Sequence, residues 1–110
     1  IESSDILLKG TGCAPGIVTG EAVIVTDPAQ AKDLQGKILV TEMTDPGWVF
    51  LMIQSAGLIV EKGSLLSHTA IIGRELGIPT VVGVSNATRR IKNGQLVRLN
   101  GQTGEVDFIS

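Results

Sequence analysis

Short runs of apolar residues, separated by glycine-rich and polar turns, make up most of this sequence. Seven of these runs are rich in valine, isoleucine and leucine and are bounded by turn residues, which is the pattern of β-strands. The predicted strands cover residues 6–8, 17–25, 37–41, 58–60, 80–82, 96–99 and 105–109. A turn over residues 100–104 joins the last two into a predicted hairpin, whose inward side chains are Val97, Leu99, Val106 and Phe108.

Helical segments are predicted between several of these strands. Two begin where an aspartate precedes a proline, a pairing that supplies a capping side chain and a preset backbone angle for the first turn. These are Asp27-Pro28, which starts a short helix, and Asp45-Pro46, which precedes a helix over residues 47–54. A third helix begins at His68 and stops at Gly77, since glycine commonly ends a helix.

The alternation of strands and helices in the middle of the chain, with hairpin-like strands at its flanks, predicts an α/β domain with a mixed sheet. The strand over residues 58–60 is apolar at every position, which is typical of a central parallel strand. A fourth short helix is expected over residues 86–90, with Ser85 as its cap. Residues 10–16 hold three glycines and a proline, and they predict a loop.

The composition is that of one small aliphatic domain. The chain has 110 residues, of which 43% are hydrophobic but only 3% aromatic, so the core is built mainly from aliphatic side chains. A net charge of -2 and the lack of any basic cluster beyond Arg89-Arg90 argue against binding to nucleic acid or to an anionic membrane. The longest apolar run, residues 48–53, is too short to span a bilayer. The single cysteine, Cys13, excludes an internal disulfide and a cysteine-rich metal site, and it fits a cytoplasmic location.

His68 is the only histidine of the chain, and it stands at the predicted start of a helix. The first backbone N–H groups of a helix have no partner inside it, and together with the helix dipole they favour an anion. Neutral imidazole is a nucleophile near pH 7, because its ordinary pKa is about 6.5. A nucleophile beside an anion site is the arrangement that a phosphoryl carrier needs. The alternative is a histidine with no chemical role.

The residues around His68 resemble the phosphohistidine domain of phosphoenolpyruvate-utilising enzymes, whose motif reads roughly Gly-Gly-x-Thr-Ser/Cys-His-x-Ala-Ile-x-Ala-Arg-Glu-x-Gly-Ile-Pro. The positions that match it are Gly63, Ser67, His68, Ala70, Ile71, Arg74, Glu75, Gly77, Ile78 and Pro79. Residues 41–48 are similar to the stretch before the motif in phosphoenolpyruvate synthases. Residues 14–16 with Gly20 are similar to the family's opening, and residues 81–83 to its continuation. The resemblance covers nearly the whole chain.

Three positions depart from the family's pattern. Ser64 stands where a second glycine is usual. Gly73 replaces a usual alanine, which lowers the helix propensity by about 1 kcal/mol. Leu66 occupies the position at which dikinases have threonine, and a leucine or methionine there is similar to rifampin phosphotransferases. The resemblance therefore leaves two subfamilies open, phosphoenolpyruvate synthase (pyruvate, water dikinase) and rifampin phosphotransferase.

The resemblance implies a swivelling β/β/α phosphohistidine domain in which His68 carries the phosphoryl group. In that family an ATP-grasp nucleotide-binding domain phosphorylates the histidine, and the domain then swings to a second site that handles pyruvate, phosphoenolpyruvate or a drug. ATP and magnesium would belong to the parent enzyme, with no cofactor or metal in this domain. Because the sequence starts at Ile1, we expect residues 1–110 to be one domain of a longer, cytoplasmic phosphotransferase, unable to turn over alone.

Four further residues are candidates for supporting the phosphoryl group. The hydroxyls of Ser67 and Thr69 flank His68 and can donate hydrogen bonds to phosphoryl oxygens, although Ser67 is equally suited to capping the helix. Gly63 gives the preceding turn its backbone freedom. Arg74 either clamps a phosphate or anchors the helix through a carboxylate.

Other polar residues have simpler interpretations. Asp45 and Trp48 fit a helix cap and a packing anchor, and the remaining aspartates are dispersed along the chain, so no metal site is expected. An alternative function of a different class is a docking module that has kept the fold without the phosphoryl chemistry. The retention of His68 in an otherwise matching motif argues against that alternative.

Overall fold

The computed structural model of this chain describes residues 7–30 and 33–109. Within them the strands are β1 (Leu7–Lys9), β2 (Thr11–Ala14), β3 (Ile17–Ile24), β4 (Ile38–Thr41), β5 (Gly57–Val60), β6 (Thr80–Val82), β7 (Leu96–Asn100) and β8 (Glu105–Phe108). The helices are α1 (Val49–Gln54), α2 (His68–Leu76) and α3 (Ala87–Arg90), and short 3₁₀ turns cover Pro28–Gln30 and Pro46–Trp48. No helix in this part of the chain is both long and apolar enough to cross a membrane.

The strands form a mixed sheet in the order β1-β8-β7-β3-β4-β5-β6-β2. Neighbours from β3 to β6 are parallel, whereas the other pairings are antiparallel. The first part of β3 pairs with β7 and its last part with β4, so this strand belongs to both halves of the sheet. Gly10 alone separates β1 from β2, yet they lie at opposite ends of the order. The sheet therefore curls until it is nearly a barrel, and the predicted α/β class is confirmed.

Aliphatic side chains fill the space inside the curled sheet. One buried cluster joins residues of both halves, among them Ile38, Ile59, Val97 and Leu99. A second cluster, which includes Trp48 and Met52, lies between the sheet and α1. Every residue of β4 and β5 is buried, as expected for parallel strands covered on both faces. The prediction of a central parallel strand over residues 58–60 is therefore confirmed.

Helix α2 packs closely on the sheet, and both of its predicted ends are confirmed. Its buried residues, Thr69, Ala70 and Gly73, lie on the side that contacts β2, β5 and β6. The helix begins at His68 and ends where Gly77 takes a left-handed backbone with φ +70°. The N–H of the next residue then donates to the carbonyl of Gly73 at 3.0 Å, which closes the last turn. His68 is thus fixed at the end of a well-anchored helix.

Two local predictions are wrong because tertiary contacts replace the local signal. Residues 10–16 are not all loop, since Thr11–Ala14 form β2 by pairing with β6. Ser85 does not cap α3; the cap position is Asn86, which has φ +59° and makes no side-chain bond to the helix. The first predicted strand also shifts, because β1 is Leu7–Lys9 and Ile6 lies outside the described residues.

The two aspartate–proline starts are confirmed as caps, although the turns that they begin are 3₁₀ rather than α-helical. The carboxylate of Asp27 accepts from the N–H of Ala29 at 3.0 Å. That of Asp45 accepts from the N–H of Gly47 at 2.8 Å. After this second turn the chain becomes α-helical at Val49.

The usual helix-favouring alanine is absent at position 73 because a side chain from the sheet fills the space. A Cβ on Gly73 would lie 2.1 Å from Oγ1 and 3.0 Å from Cβ of Thr80. Thr80 is fully buried, and its hydroxyl donates to the carbonyl of Ile78 at 2.7 Å, so it has little room to move. The missing side chain at position 73 therefore leaves the space that Thr80 fills.

We predict that Gly73→Ala destabilises the chain by up to about 2 kcal/mol, since an overpacking cost of about 1–3 kcal/mol is offset only in part by the gain of about 1 kcal/mol in helix propensity. In a Thr80→Ala background the same substitution should cost much less, because Oγ1 at 2.1 Å is gone and only the contact with Cβ of residue 80 at 3.0 Å remains. The measurement is the free energy of unfolding in urea for the wild type, the two single variants and the double variant. An equal cost in both backgrounds would show that the side chain of Thr80 is not the cause.

Helix α3 is capped by a carboxylate from another element. Glu61, which follows β5, accepts through Oε2 from the backbone N–H of Thr88 at 2.8 Å, and also from the Thr88 hydroxyl. The hydroxyl bond holds the pKa of the Glu61 carboxyl below its usual range, with further help from the backbone bond and from the charges of Arg89 and Lys62. This contribution to stability is present above the ordinary glutamate pKa of about 4.3.

We predict that Glu61→Gln lowers the free energy of unfolding at pH 7 by about 1 kcal/mol, because the amide oxygen can still accept from Thr88 but a hydrogen bond to a neutral group contributes about that much less than one to a charged group. Because the folded pKa is depressed, the wild-type advantage should fade as the pH falls below about 4 and the carboxylate is protonated in both states. Urea unfolding at several pH values checks this. As the matched control, Glu75→Gln changes an exposed carboxylate with no hydrogen bond among the described residues and should leave the free energy of unfolding at pH 7 nearly unchanged. A gap for Glu61→Gln that stays constant down to pH 3 would contradict the assignment.

Candidate functional site

The imidazole of His68 lies where the loops after β4 and β5 meet. Carboxyl ends of neighbouring parallel strands share one edge of a sheet, and here the loop after β4 brings Thr44 to the ring. Oγ1 of Thr44 lies 2.9 Å from Nδ1 of His68. Thr44 is only 7% exposed, whereas His68 is partly exposed. Nδ1 is therefore engaged, and Nε2, which has no hydrogen-bond partner among residues 7–30 and 33–109, is the nitrogen left for chemistry.

Thr69 continues the contact from Thr44 into the interior. The two hydroxyl oxygens lie 2.6 Å apart, and Thr69 is only 3% exposed. The sequence leads us to expect a Thr69 hydroxyl that donates to a phosphoryl oxygen. The structure instead places it behind Thr44, because Thr69 belongs to the side of α2 that packs on the sheet.

Ser67 and Gly63 shape the loop between β5 and α2. The hydroxyl of Ser67 donates to the carbonyl of Ser64 at 2.7 Å, and it does not cap α2. Gly63 has φ +122°, and a Cβ there would lie 2.8 Å from Oγ of Ser67, so this turn requires glycine. No side chain of the described residues bonds to the first backbone N–H groups of α2, as an anion site beside His68 requires.

Arg74 anchors the same loop from the next turns of α2. Its Nη2 donates to the carbonyl of Leu65 at 2.8 Å, so the anchor is a backbone oxygen and not the carboxylate that the sequence suggested. The guanidinium also lies close enough to Cys13 to affect its thiol. Burial raises the pKa of that thiol, and the positive charge of Arg74 opposes part of the rise. Cys13 is buried and forms no disulfide.

Thr44 is the site residue that sequence reasoning missed. It lies directly before Asp45-Pro46, and the capping pattern of that pair explains the segment without any role for Thr44. A signal was present nonetheless. Two parallel strands that lie side by side end at one edge of the sheet, so if residues 37–41 and 58–60 are taken as neighbours, a hydroxyl after the first and a histidine after the second become candidates for contact.

The two loops that meet at His68 carry exposed apolar and charged side chains. Leu66 is 83% exposed at the tip of the loop, and Leu65 is also exposed. Lys62 and Glu42 form an exposed ion pair at 3.6 Å between the two loops. Across the part of the chain that the structure describes, no group of three or more His, Cys, Asp or Glu side chains is placed to hold a metal ion.

A family model and curated relatives identify the family to which this chain is similar. The family model for "PEP-utilising enzyme, mobile domain" matches residues 33–104. A rifampicin phosphotransferase of Streptomyces sviceus is 45% identical over 106 residues, which cover 96% of this chain and 12% of that protein. A probable phosphoenolpyruvate synthase of Pyrococcus abyssi is 42% identical over 107 residues, covering 96% of this chain and 13% of that protein. The chain thus spans about an eighth of the length of these curated relatives.

Two solved structures resemble this chain. A structure of Enzyme I superposes with a TM-score of 0.59 and 33% identity, over 67% of this chain and 31% of that one. The holo form of Thermococcus kodakaraensis aconitase X gives a TM-score of 0.77 over 96% of this chain and 99% of that one, but at 21% identity it shows the fold alone. From the matched family model and the relatives above, the chain belongs to the PEP-utilising enzyme mobile domain family.

Proposed function

We propose that this chain is the phosphoryl-carrier domain of a multidomain phosphotransferase and that His68 carries the group on Nε2. The observation that supports this most strongly is the geometry of the ring. A buried hydroxyl engages Nδ1 at 2.9 Å, while Nε2 is left beside the uncapped start of α2. This fixes one nitrogen and leaves the other next to N–H groups that favour an anion.

The proposed chemistry has two transfers. In the first, the Nε2 lone pair attacks phosphorus, an N–P bond forms, and the P–O bond to the nucleotide breaks. In the second, an oxygen of the acceptor attacks the same phosphorus, the N–P bond breaks, and the electron pair returns to Nε2. Thr44 holds the ring through both steps. The contribution of this chain is therefore positioning and charge stabilisation, which dominate phosphoryl transfer.

Both transfers need partners outside these 110 residues. We propose an ATP-grasp nucleotide-binding domain as the donor site and a separate acceptor domain, both in one parent polypeptide of which residues 1–110 are a single domain. ATP and magnesium would act at the donor site, so no step places a metal on this chain. The chain alone would not turn over. The free thiol of Cys13 is compatible with the cytoplasmic location that we also propose.

Pyruvate and a rifampin-type drug are both candidate acceptors. Relatives named for phosphoenolpyruvate synthesis and for rifampicin phosphotransfer match at 42% and 45% identity, which does not separate them. Leu66 favours the drug phosphotransferase, because it presents an apolar surface beside His68 where a dikinase presents a hydroxyl. Its 83% exposure places it where an acceptor domain can contact it.

The proposal predicts that His68 is the phosphorylated residue. With ATP labelled at both the β and γ positions and the nucleotide-binding domain of the parent present, the wild-type chain should take up label that is lost in acid and stable in base, as a phosphoramidate requires. Uptake should vanish in His68→Ala and persist in Ser64→Ala, the matched loop control. Phosphoamino acid analysis and mass spectrometry check the position. Full labelling of His68→Ala would refute the carrier role, and no labelling of a folded wild-type chain would favour the docking module.

We predict that Leu66→Thr, made in the full-length parent, changes the second transfer more than the first. The side chain of Leu66 is exposed, and its backbone N–H, which donates to Oγ of Ser64 at 3.3 Å, is kept in the substitution. Its replacement by a hydroxyl therefore alters contacts with the acceptor site by about 0.5–1.5 kcal/mol, the value of one neutral hydrogen bond. Single-turnover labelling of His68 and then chase with pyruvate or rifampin measure the two steps separately. Equal changes in both steps would mean that Leu66 supports only the loop.

A further inference from the structure

The hydroxyls of Thr69 and Thr44 form a short chain that ends on the ring of His68. Thr69 Oγ1 lies 2.6 Å from Thr44 Oγ1, and Thr44 Oγ1 lies 2.9 Å from Nδ1. The two threonines are 3% and 7% exposed, so solvent does not take their protons. Among the described residues, neither hydroxyl has a hydrogen-bond partner outside this chain of three groups.

The number of protons on these three hydrogen-bonded groups limits the directions in which they can donate. Each hydroxyl carries one proton, and a neutral imidazole carries its proton on one nitrogen only. If Thr69 donates to Thr44, then Thr44 can donate to Nδ1, and both hydroxyl protons are bonded. In the opposite order Nδ1–H donates to Thr44 and Thr44 donates to Thr69, which leaves the Thr69 proton buried without an acceptor. An unsatisfied buried donor is costly.

We infer that Thr69 and Thr44 are positioning residues that order the proton of His68. Thr69 donates to Thr44, Thr44 donates to Nδ1, and the neutral ring of the free chain therefore keeps its proton on Nε2. The proton order follows from the hydrogen bonds, and only its effect on phosphoryl transfer rests on the proposed function. In that resting form Nε2 has no in-plane lone pair, so the nitrogen that would attack phosphorus is held inactive.

The attacking form requires the order to reverse. Nε2 gives its proton to water, Nδ1 takes one from water, and both hydroxyls turn, so that protons balance without any other reactant. The reversed state lacks one buried hydrogen bond and should be about tenfold to a hundredfold less populated. The carrier would thus be mostly unreactive until docking at the donor site selects the reversed state.

The single histidine makes the tautomer directly measurable. The two ring nitrogens of His68 give distinct ¹⁵N shifts, and long-range ¹H–¹⁵N spectra of the chain at about pH 9 report which one is protonated. We expect the pattern of the Nε2–H form, with Nδ1 shifted as an unprotonated acceptor. The same chain unfolded in urea supplies the averaged reference. A pattern of the Nδ1–H form, or one equal to the averaged reference, would overturn the inference.

Substitutions at position 69 test the direction of donation between residue 69, Thr44 and His68. Thr69→Ser and Thr69→Val should both keep the Nε2–H form, since in the second the Thr44 proton still has Nδ1 as its acceptor. Thr69→Asp introduces an acceptor without a donor, so Thr44 should turn towards it and the ring should change to the Nδ1–H form. An unchanged ring in folded Thr69→Asp would refute the control by residue 69; if that variant does not fold, the wild-type and Thr69→Val spectra decide.

These spectra are recorded on the unphosphorylated chain, so they separate the two proposals. A chain with the Nε2–H form that takes up no label would keep the proton order and refute the carrier function. A chain that takes up label but has the Nδ1–H form would support the carrier function and refute the proton order. Amide spectra of each variant, recorded in the same experiment, establish that the fold is retained.

Discussion

The hydrogen bond between Thr44 and Nδ1 of His68 ties together the ends of two neighbouring parallel strands. It exists only because β4 and β5 run parallel and in register, which brings the loops that follow them to one edge of the sheet. The bond spans 24 residues of sequence at 2.9 Å, and it decides which ring nitrogen faces outward. The orientation of the candidate nucleophile is therefore a property of the sheet topology and not of the local motif.

The same dependence on the sheet governs how α2 is seated. The helix reaches β6 closely because position 73 has no side chain and Thr80 occupies the space. This close approach also places Thr69 on the buried side, within 2.6 Å of Thr44. A larger residue at position 73 would raise the helix and move both His68 and Thr69. Thr80 of β6 therefore occupies the space that the usual alanine at position 73 would fill.

Local signals were enough for most of the fold and for the position of His68 at the start of α2. The ends of α2, the central parallel strand and both aspartate caps follow from capping residues, apolar runs and glycine positions, which act over a few residues. β2 and the capping of α3 did not follow, because pairing with β6 and the carboxylate of Glu61 come from distant segments. Thr44 was missed for the same reason, since its role exists only after β4 and β5 are aligned.

The polar groups expected to meet the phosphoryl group are used mostly within the protein. Ser67 bonds to the carbonyl of Ser64, Arg74 to that of Leu65, and Thr69 to Thr44. A phosphoryl group on Nε2 would therefore find backbone N–H groups at the start of α2 on this chain. Charged donors would have to come from whichever domain is docked. This division suits a carrier, because a group held tightly by fixed side chains would be slow to leave, whereas one supported by a few N–H groups can be passed on when the next site supplies the cations.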